Sequence, residues 1–335
     1  MTNDSPFAIH HSRSFWPDRP VLVTGCTGFL GSWLTIALVE AGAAVVGLIR
    51  DGAPFSHLRS SGYQDRIAVV RGDVTDYELV ERTLNEYEID AIFHLAAQTI
   101  VPIANRSPLS TFETNIKGSW TVLEAARRSP TVTRVALASS DKAYGAHETL
   151  PYTEDAPLLG CYPYDASKAC AEFIARTYAV TYDLPVAITR CANLYGGGDL
   201  NWSRIFPGTV RSVIRAERPI VRSDGTMVRD YLYVQDGVSA YLTLAEHLDE
   251  TEVRGEAFNF GMDNPKPVIE IVQTIIAISD YPELEPVVLS DAPNEIQAQY
   301  LDSGKARRVL GWMPRYSLEE GLRETLEWYR EFLCR

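Results

Sequence analysis

Tyr164 and Lys168 stand four residues apart in YPYDASKACAEFIARTY, where Ala171, Ile174 and Tyr178 continue an apolar helical spacing. That separation puts both side chains on one helix face. An ammonium beside a phenol favours the phenolate and lowers its pKa. Tyr164 could then take a proton from a substrate hydroxyl as hydride leaves the carbon that bears it. Ser139 or Ser140, at the end of the strand from Arg134 to Ala138, could hydrogen-bond the same hydroxyl. A Tyr-x-x-x-Lys pair is common by chance, so its meaning depends on what surrounds it.

The cofactor for such chemistry points to VLVTGCTGFLGSWL, from Val21 to Leu34. A short apolar strand runs into glycines at Gly25, Gly28 and Gly31, and then into an apolar-periodic helix. Gly25 suits a tight turn, Gly28 a close approach of backbone to pyrophosphate, and Gly31 close packing of helix on strand. The helix N-terminus offers unpaired N–H groups to an anion. Gly25, Thr27, Gly28, Phe29, Leu30 and Gly31 are therefore candidate cofactor contacts. The second strand, AAVVGLIR, ends in Arg50 and then Asp51. An acidic residue there suits the free ribose of NAD and an arginine the phosphate of NADP. Both are present, so NAD and NADP stay open, with NAD slightly favoured.

A third strand, RIAVVRGD, delivers Asp73 and Val74. Asp73 is placed either to meet the adenine amino group or to cap the helix after Thr75. The fourth, DAIFHLAAQ, ends in Leu95, Ala96, Ala97 and Gln98, where small side chains leave room for a ligand. His94, inside that apolar run, reads as a packed core histidine. An amphipathic helix from Thr111 to Arg127 carries Asn115. Strands alternating with helices predict an α/β Rossmann-type doubly wound parallel sheet. Residues 1–18 read as a flexible lead-in and 19–195 as the NAD(P)-binding domain, with returning segments near 230–262. Residues 196–335, richer in Gly, Asp, Asn and Pro at their start, read mainly as a smaller α/β substrate-binding domain.

A net charge of −13 over 335 residues argues against nucleic acid as a partner. No apolar run reaches membrane-spanning length, and the first twenty residues lack a signal-peptide core. The five cysteines are scattered without C-x-x-C pairing, so a reduced cytoplasmic setting is expected, with no metal and no disulfide role.

From Val21 to Phe332 the chain resembles the extended short-chain dehydrogenase/reductase superfamily. The matching segments are GCTGFLG, Asp73-Val74, HLAAQ, Asn115 in TNIKG, SSDKAYG, YDASK, RCANLYGGGD, VRDYLYVQD and LDSGKARRVLGWMP. The resemblance implies a tightly bound nicotinamide cofactor that is recycled in each turnover, held among others by Asn115, Tyr164 and Lys168. It also implies a nucleotide-sugar substrate met by Gln98, Ser140, Asn193, Arg204 and Arg229. A homodimer through the helices bearing Asn115 and Tyr164 follows from it as well. SSDKAYG discriminates further. An acidic residue followed by a base after the catalytic hydroxyl is the pattern of sugar-nucleotide 4,6-dehydratases, and Asp141-Lys142 is most like the CDP-glucose type. The implied reaction oxidises C4 with Tyr164, Lys168 and Ser140, takes the C5 proton with Lys142 and protonates the leaving C6 hydroxyl from Asp141. VRDYLYVQD departs from the CDP-glucose type. A 4-epimerase or reductase, which would lose no water, and a non-catalytic NAD(P)-binding protein are the competing readings.

Overall fold

The computed structural model describes residues 14–52, 55–290 and 296–334. Six parallel strands come from the first two thirds of the chain. They are β1 (Pro20–Thr24), β2 (Ala44–Ile49), β3 (Ala68–Arg71), β4 (Ala91–His94), β5 (Arg134–Ala138) and β6 (Val186–Cys191). A seventh strand, Ala257–Phe260, arrives from beyond residue 196 and pairs parallel to β6. The sheet order is Ala257–Phe260, β6, β5, β4, β1, β2, β3. The order reverses between β1 and β4, the place where a doubly wound sheet opens a crevice at its carboxyl edge.

Alternation along the strands divides the core between the two faces. Val21, Val23, Phe93, Ala136 and Ala187 face helix α1 (Phe29–Glu40) and the Val234–Glu246 helix, which offer Leu34, Leu38, Val238 and Leu242. Leu22, Ile92, Val135, Leu137, Val186 and Ile188 face the other way. They meet Val80 and Leu84, Val122 and Leu123, and Ala171 and Ala175, from helices Tyr77–Glu86, Gly118–Arg128 and Pro163–Tyr182. Burial on both faces explains why these strands read as continuous apolar runs.

Three local expectations change. The lead-in is not loose up to Asp18: Trp16 is fully buried, its ring 5.8 Å from that of Phe93, and its indole N–H donates to Glu246 at 2.6 Å. A large apolar ring with its one donor satisfied anchors the chain ahead of β1. Residues 1–13 of the same stretch lie outside the described residues. The helix after Thr75 is capped by Asp76, which accepts from the Leu79 amide, and not by Asp73. The segment carrying Asn115 is broken into Pro108–Phe112, a π-type turn Glu113–Lys117, and Gly118–Arg128.

The later chain builds a smaller layer over the carboxyl edge. Tyr231–Tyr233 pairs with Asn193–Tyr195, and Val228–Arg229 is flanked by Lys266–Pro267 and Ala298–Gln299. Helices Ile205–Ile214, Val268–Ala277 and Leu318–Leu333 complete it, the last opened by a capping box of Ser317 and Glu320. Among the described residues no helix is long and apolar enough to cross a membrane.

Candidate active site

The glycine turn leaves β1 at the crevice. Gly25 has φ +74°, and a Cβ there would stand 2.9 Å from the Ala96 amide nitrogen at the end of β4. A Cβ on Gly31 would drive into the Gly25 carbonyl. These two positions therefore tolerate only glycine. Gly28 precedes α1, and among the described residues no side chain caps the helix there, which leaves the first amides of α1, beginning at Phe29 and Leu30, for a ligand in the crevice. Thr27 lies beside them in the same turn. This is a cradle that a pyrophosphate fits: close backbone, no Cβ in the way, and amides at the positive end of a twelve-residue helix.

The floor beside this cradle is locked from behind. Thr24 Oγ1 accepts from the Leu95 and Ala96 amides at 3.2 Å each, and lies 2.9 Å from His94 Nδ1. His94 Nε2 is 3.1 Å from Ser119 Oγ, and burial pushes the imidazole down to about 3, so it remains neutral. Its part is to pack, as its place in an apolar run suggests. Buried Asn115 accepts from the Gln98 amide at 2.7 Å and donates to the Gln98 carbonyl at 3.1 Å and to Ser167 Oγ at 2.9 Å. Its amide thus ties Leu95–Gln98 to the helix that carries Tyr164. Gln98 itself turns its side-chain oxygen to the Ile100 amide, and Ala97 sits between these two ties.

At the adenosine side, Arg50 donates to Asp51 at 3.0 Å, and both are well exposed. Asp73 Oδ1 accepts from the amide and hydroxyl of Thr75, closing a tight turn, while Val74 is buried beside it.

β5 delivers Ser140 into a 3-10 turn, Asp141–Tyr144. Ser140 Oγ donates to Asp141 at 3.0 Å and accepts from the Lys142 amide at 3.2 Å. It also hydrogen-bonds to Tyr164. Ser139 takes a different part. Its hydroxyl donates to buried Glu172, which pairs with Arg190 at 2.6 Å, so Ser140 is the one that faces the crevice. Asp141 is 3% exposed, and burial raises its pKa against the opposing pull of Lys142 and Ser140. A carboxyl shifted that way is suited to donate a proton.

Tyr164 does not show the lowered pKa expected of it. Burial raises the phenol well above its ordinary value, and the Ser140 hydrogen bond only partly opposes this. Lys168 Nζ lies 5.9 Å from the tyrosine ring centre and donates to the Ala138 carbonyl at 2.7 Å. Burial brings Lys168 itself down to about 8. Desolvation is thus the largest influence on the phenol in this arrangement.

The three outer candidates divide. Arg204 Nη1 donates to Asp199 at 2.6 Å and Nη2 to the Leu194 carbonyl, with the side chain as a whole 40% exposed at the crevice mouth. Asn193 lies opposite Tyr231 and its amide donates to the Asp230 carbonyl. Arg229 departs from the expectation of an open phosphate ligand. It is 7% exposed and donates to the carbonyls of Val228, Gln297 and Ile296. Burial among backbone acceptors commits it to holding that segment.

Sequence reasoning missed Gln299, fully buried, whose side chain meets Lys142 and the Asp141 backbone. It missed Asp165, next to Tyr164, where burial raises the carboxyl to about 6 against the nearby charge of Lys142. No spacing rule links either residue to the turn at Asp141; only the fold does.

Residues 22–325 match the family model described as GDP-mannose 4,6 dehydratase. The chain belongs to that family. It is 30% identical to the CDP-glucose 4,6-dehydratase of Salmonella typhimurium, over 96% of this chain and 93% of that one. Among solved structures, DesIV, a dTDP-glucose 4,6-dehydratase from Streptomyces venezuelae with NAD and TYD bound, superposes with a TM-score of 0.81 at 30% identity, covering 93% and 97%. The UDP-glucose 4-epimerase of Thermotoga maritima, with UDP-glucose, superposes with a TM-score of 0.84 at 30% identity, covering 94% and 99%. The resemblance to extended short-chain dehydrogenase/reductases, and within them to NAD-dependent sugar-nucleotide 4,6-dehydratases, is met. An epimerase fits the backbone equally well, so the fold alone does not separate the two reactions.

Proposed function

We propose that this sugar-nucleotide 4,6-dehydratase uses NAD and converts CDP-glucose to its 4-keto-6-deoxy derivative, with internal redox and loss of one water. The observation that carries the reading is the 3-10 turn at Asp141. It sets a buried carboxyl and an amine side by side, next to Ser140 and Tyr164, at the carboxyl end of a strand beside the crevice. A 4-epimerase has no use for that pair.

Bound NAD would supply a hydride acceptor for C4 and a donor for C6. Gly25, Gly28, Gly31 and the first amides of α1 would hold its pyrophosphate, and Asp51 its ribose. Ser140 orients the C4 hydroxyl, and Tyr164 takes its proton. A C4 ketone acidifies C5–H, and Lys142, in its neutral form, removes that proton. Asp141, whose carboxyl burial shifts toward the protonated form, gives its proton to the departing C6 hydroxyl. Arg204 and Asn193, at the mouth, meet the diphosphate, a role suited to the forked donors of arginine.

The domains divide these tasks, with residues up to 195 and the returning strand holding the cofactor and most later residues holding the sugar nucleotide. We propose further that two copies associate through the helices bearing Asn115 and Tyr164. Leu109, Trp120, Phe173 and Val180 on these helices are 73%, 44%, 57% and 86% exposed, which a second copy would cover. Light scattering should give twice the chain mass, and Phe173→Glu should halve it. A monomeric wild type would rule the dimer out.

The test of substrate and reaction is incubation with CDP-glucose, dTDP-glucose, UDP-glucose, UDP-N-acetylglucosamine, GDP-glucose and GDP-mannose, read by mass spectrometry. CDP-glucose should lose one water. Isomerisation of any of the six without loss of mass would favour the epimerase instead.

A further inference from the structure

Gln299 reaches the acid–base pair from the far end of the chain. It ends the two-residue strand Ala298–Gln299, parallel to Val228–Arg229, with Gln299 opposite Arg229. Its side chain is fully buried. Oε1 accepts from Lys142 Nζ at 2.6 Å, and Nε2 donates to the Asp141 carbonyl at 3.0 Å. An amide has one accepting and one donating end, and here both are used on consecutive residues of one turn. A group that merely filled space would need neither end, and burying an amide without such partners is costly. The segment is fixed in turn by Arg229, whose guanidinium holds the carbonyls of Ile296 and Gln297.

We propose that Gln299 is a positioning residue for the dehydration step, holding Lys142 Nζ and the Asp141 backbone in register with C5 and C6 of the sugar. The proposal rests on the roles given above to Asp141 and Lys142. Because Oε1 accepts from the amine, it stabilises the ammonium form and so helps set the pH at which Lys142 can take a proton. Among the described residues, Asp141 on its own turn and Asp165 on the Pro163–Tyr182 helix also face Lys142. Arg229 and Tyr152 face Asp141. Replacing the neutral acceptor by a carboxylate therefore has a predictable direction.

The test is a double-mutant cycle on the cofactor-loaded enzyme, using the nucleotide sugar that the wild type dehydrates. Gln299→Leu should lower kcat about 10²-fold, the size expected when a reacting group is misplaced by about an ångström. KM should stay within about twofold, since ground-state binding is not altered. In a Lys142→Ala background the same change should cost less than about twofold, because residues acting as a unit are not additive. Gln299→Glu keeps the volume and the acceptor and adds a charge. It should move the limb of the kcat profile on which Lys142 loses its proton to higher pH. This second variant also carries the test should Gln299→Leu fail to fold. Equal losses from Gln299→Leu in both backgrounds, or an unshifted profile in Gln299→Glu, would overturn the proposal. Undiminished water loss by Lys142→Ala would overturn the reading of the pair itself, which is a separate failure.

Discussion

A phenol that must release a proton in a dry site works against its surroundings. Burial holds Tyr164 protonated, and Lys168, itself brought down to about 8, is directed at the Ala138 carbonyl. Ser140, through its hydrogen bond, and Arg204, through its charge, pull the phenol toward ionisation, so the Ser140 hydroxyl and the phenol act together. Tyr164→Phe should lower C4 oxidation by about 10²- to 10⁴-fold, the usual worth of a positioned acid or base. Cofactor reduction followed by absorbance in a single turnover would show it. Lys142→Ala should leave that absorbance change in place and slow water loss by about 10²-fold or more, to a residual rate that can still be measured, which separates the two halves of the reaction. Of these residues, Tyr164 and Lys168 were legible in the sequence through their four-residue spacing, while the strand end left Ser139 and Ser140 open and the family resemblance favoured Ser140. The pKa of Tyr164 was not legible, because desolvation depends on what the rest of the chain lays over the ring.

At the scale of elements, the crevice depends on strands keeping their ends level. The Pro163–Tyr182 helix is joined to β6 by Glu172 and Arg190, both almost wholly buried. Ser139, just past β5, donates to the same carboxylate, and Arg190 also donates to Tyr144 Oη at 2.6 Å. Tyr144 Oη donates to Asn259 of the returning strand at 2.8 Å. This network links the turn bearing Asp141 to three strands. Arg190→Ala should destabilise the fold by about 3–5 kcal/mol, because it strands a buried carboxylate. Urea unfolding checks the figure. Sequence patterning located these elements well, since doubly buried strands and periodic helices are local signals. It could not show that Arg229 would be spent on the carbonyls of residues 296 and 297, because a guanidinium looks the same in sequence whether it meets phosphate or backbone. Gln299 escaped notice for the same reason: its partners lie more than 150 positions away.

At the scale of the whole molecule, the two layers meet at groups that titrate near neutrality. Asp230, 1% exposed, accepts from the Tyr231 and Asp263 amides, and burial raises it to about 7. Unfolded, the same group titrates near 4. Between these values the unfolded chain has lost the proton and the folded chain keeps it. The contribution is thus fully present below about pH 4 and is lost as the pH rises toward 7. Asp230→Asn should flatten the fall of Tm between pH 5 and pH 8, and a thermal series across that range would show an unchanged slope if Asp230 carried none of it. Trp16 acts at this scale too, fastening the chain ahead of β1 to the Val234–Glu246 helix through Glu246.

We propose that the nicotinamide held at Gly25, Gly28 and Gly31 is borrowed and restored within one turnover. This is tested most directly by supplying the nucleotide glucose that the enzyme accepts with deuterium at C4, and weighing the product. The expected product is lighter by one water and still carries the deuterium, now at C6, with no net change in the cofactor's absorbance. A product of unchanged composition inverted at C4, or a dehydrated product that has lost the label, would contradict it.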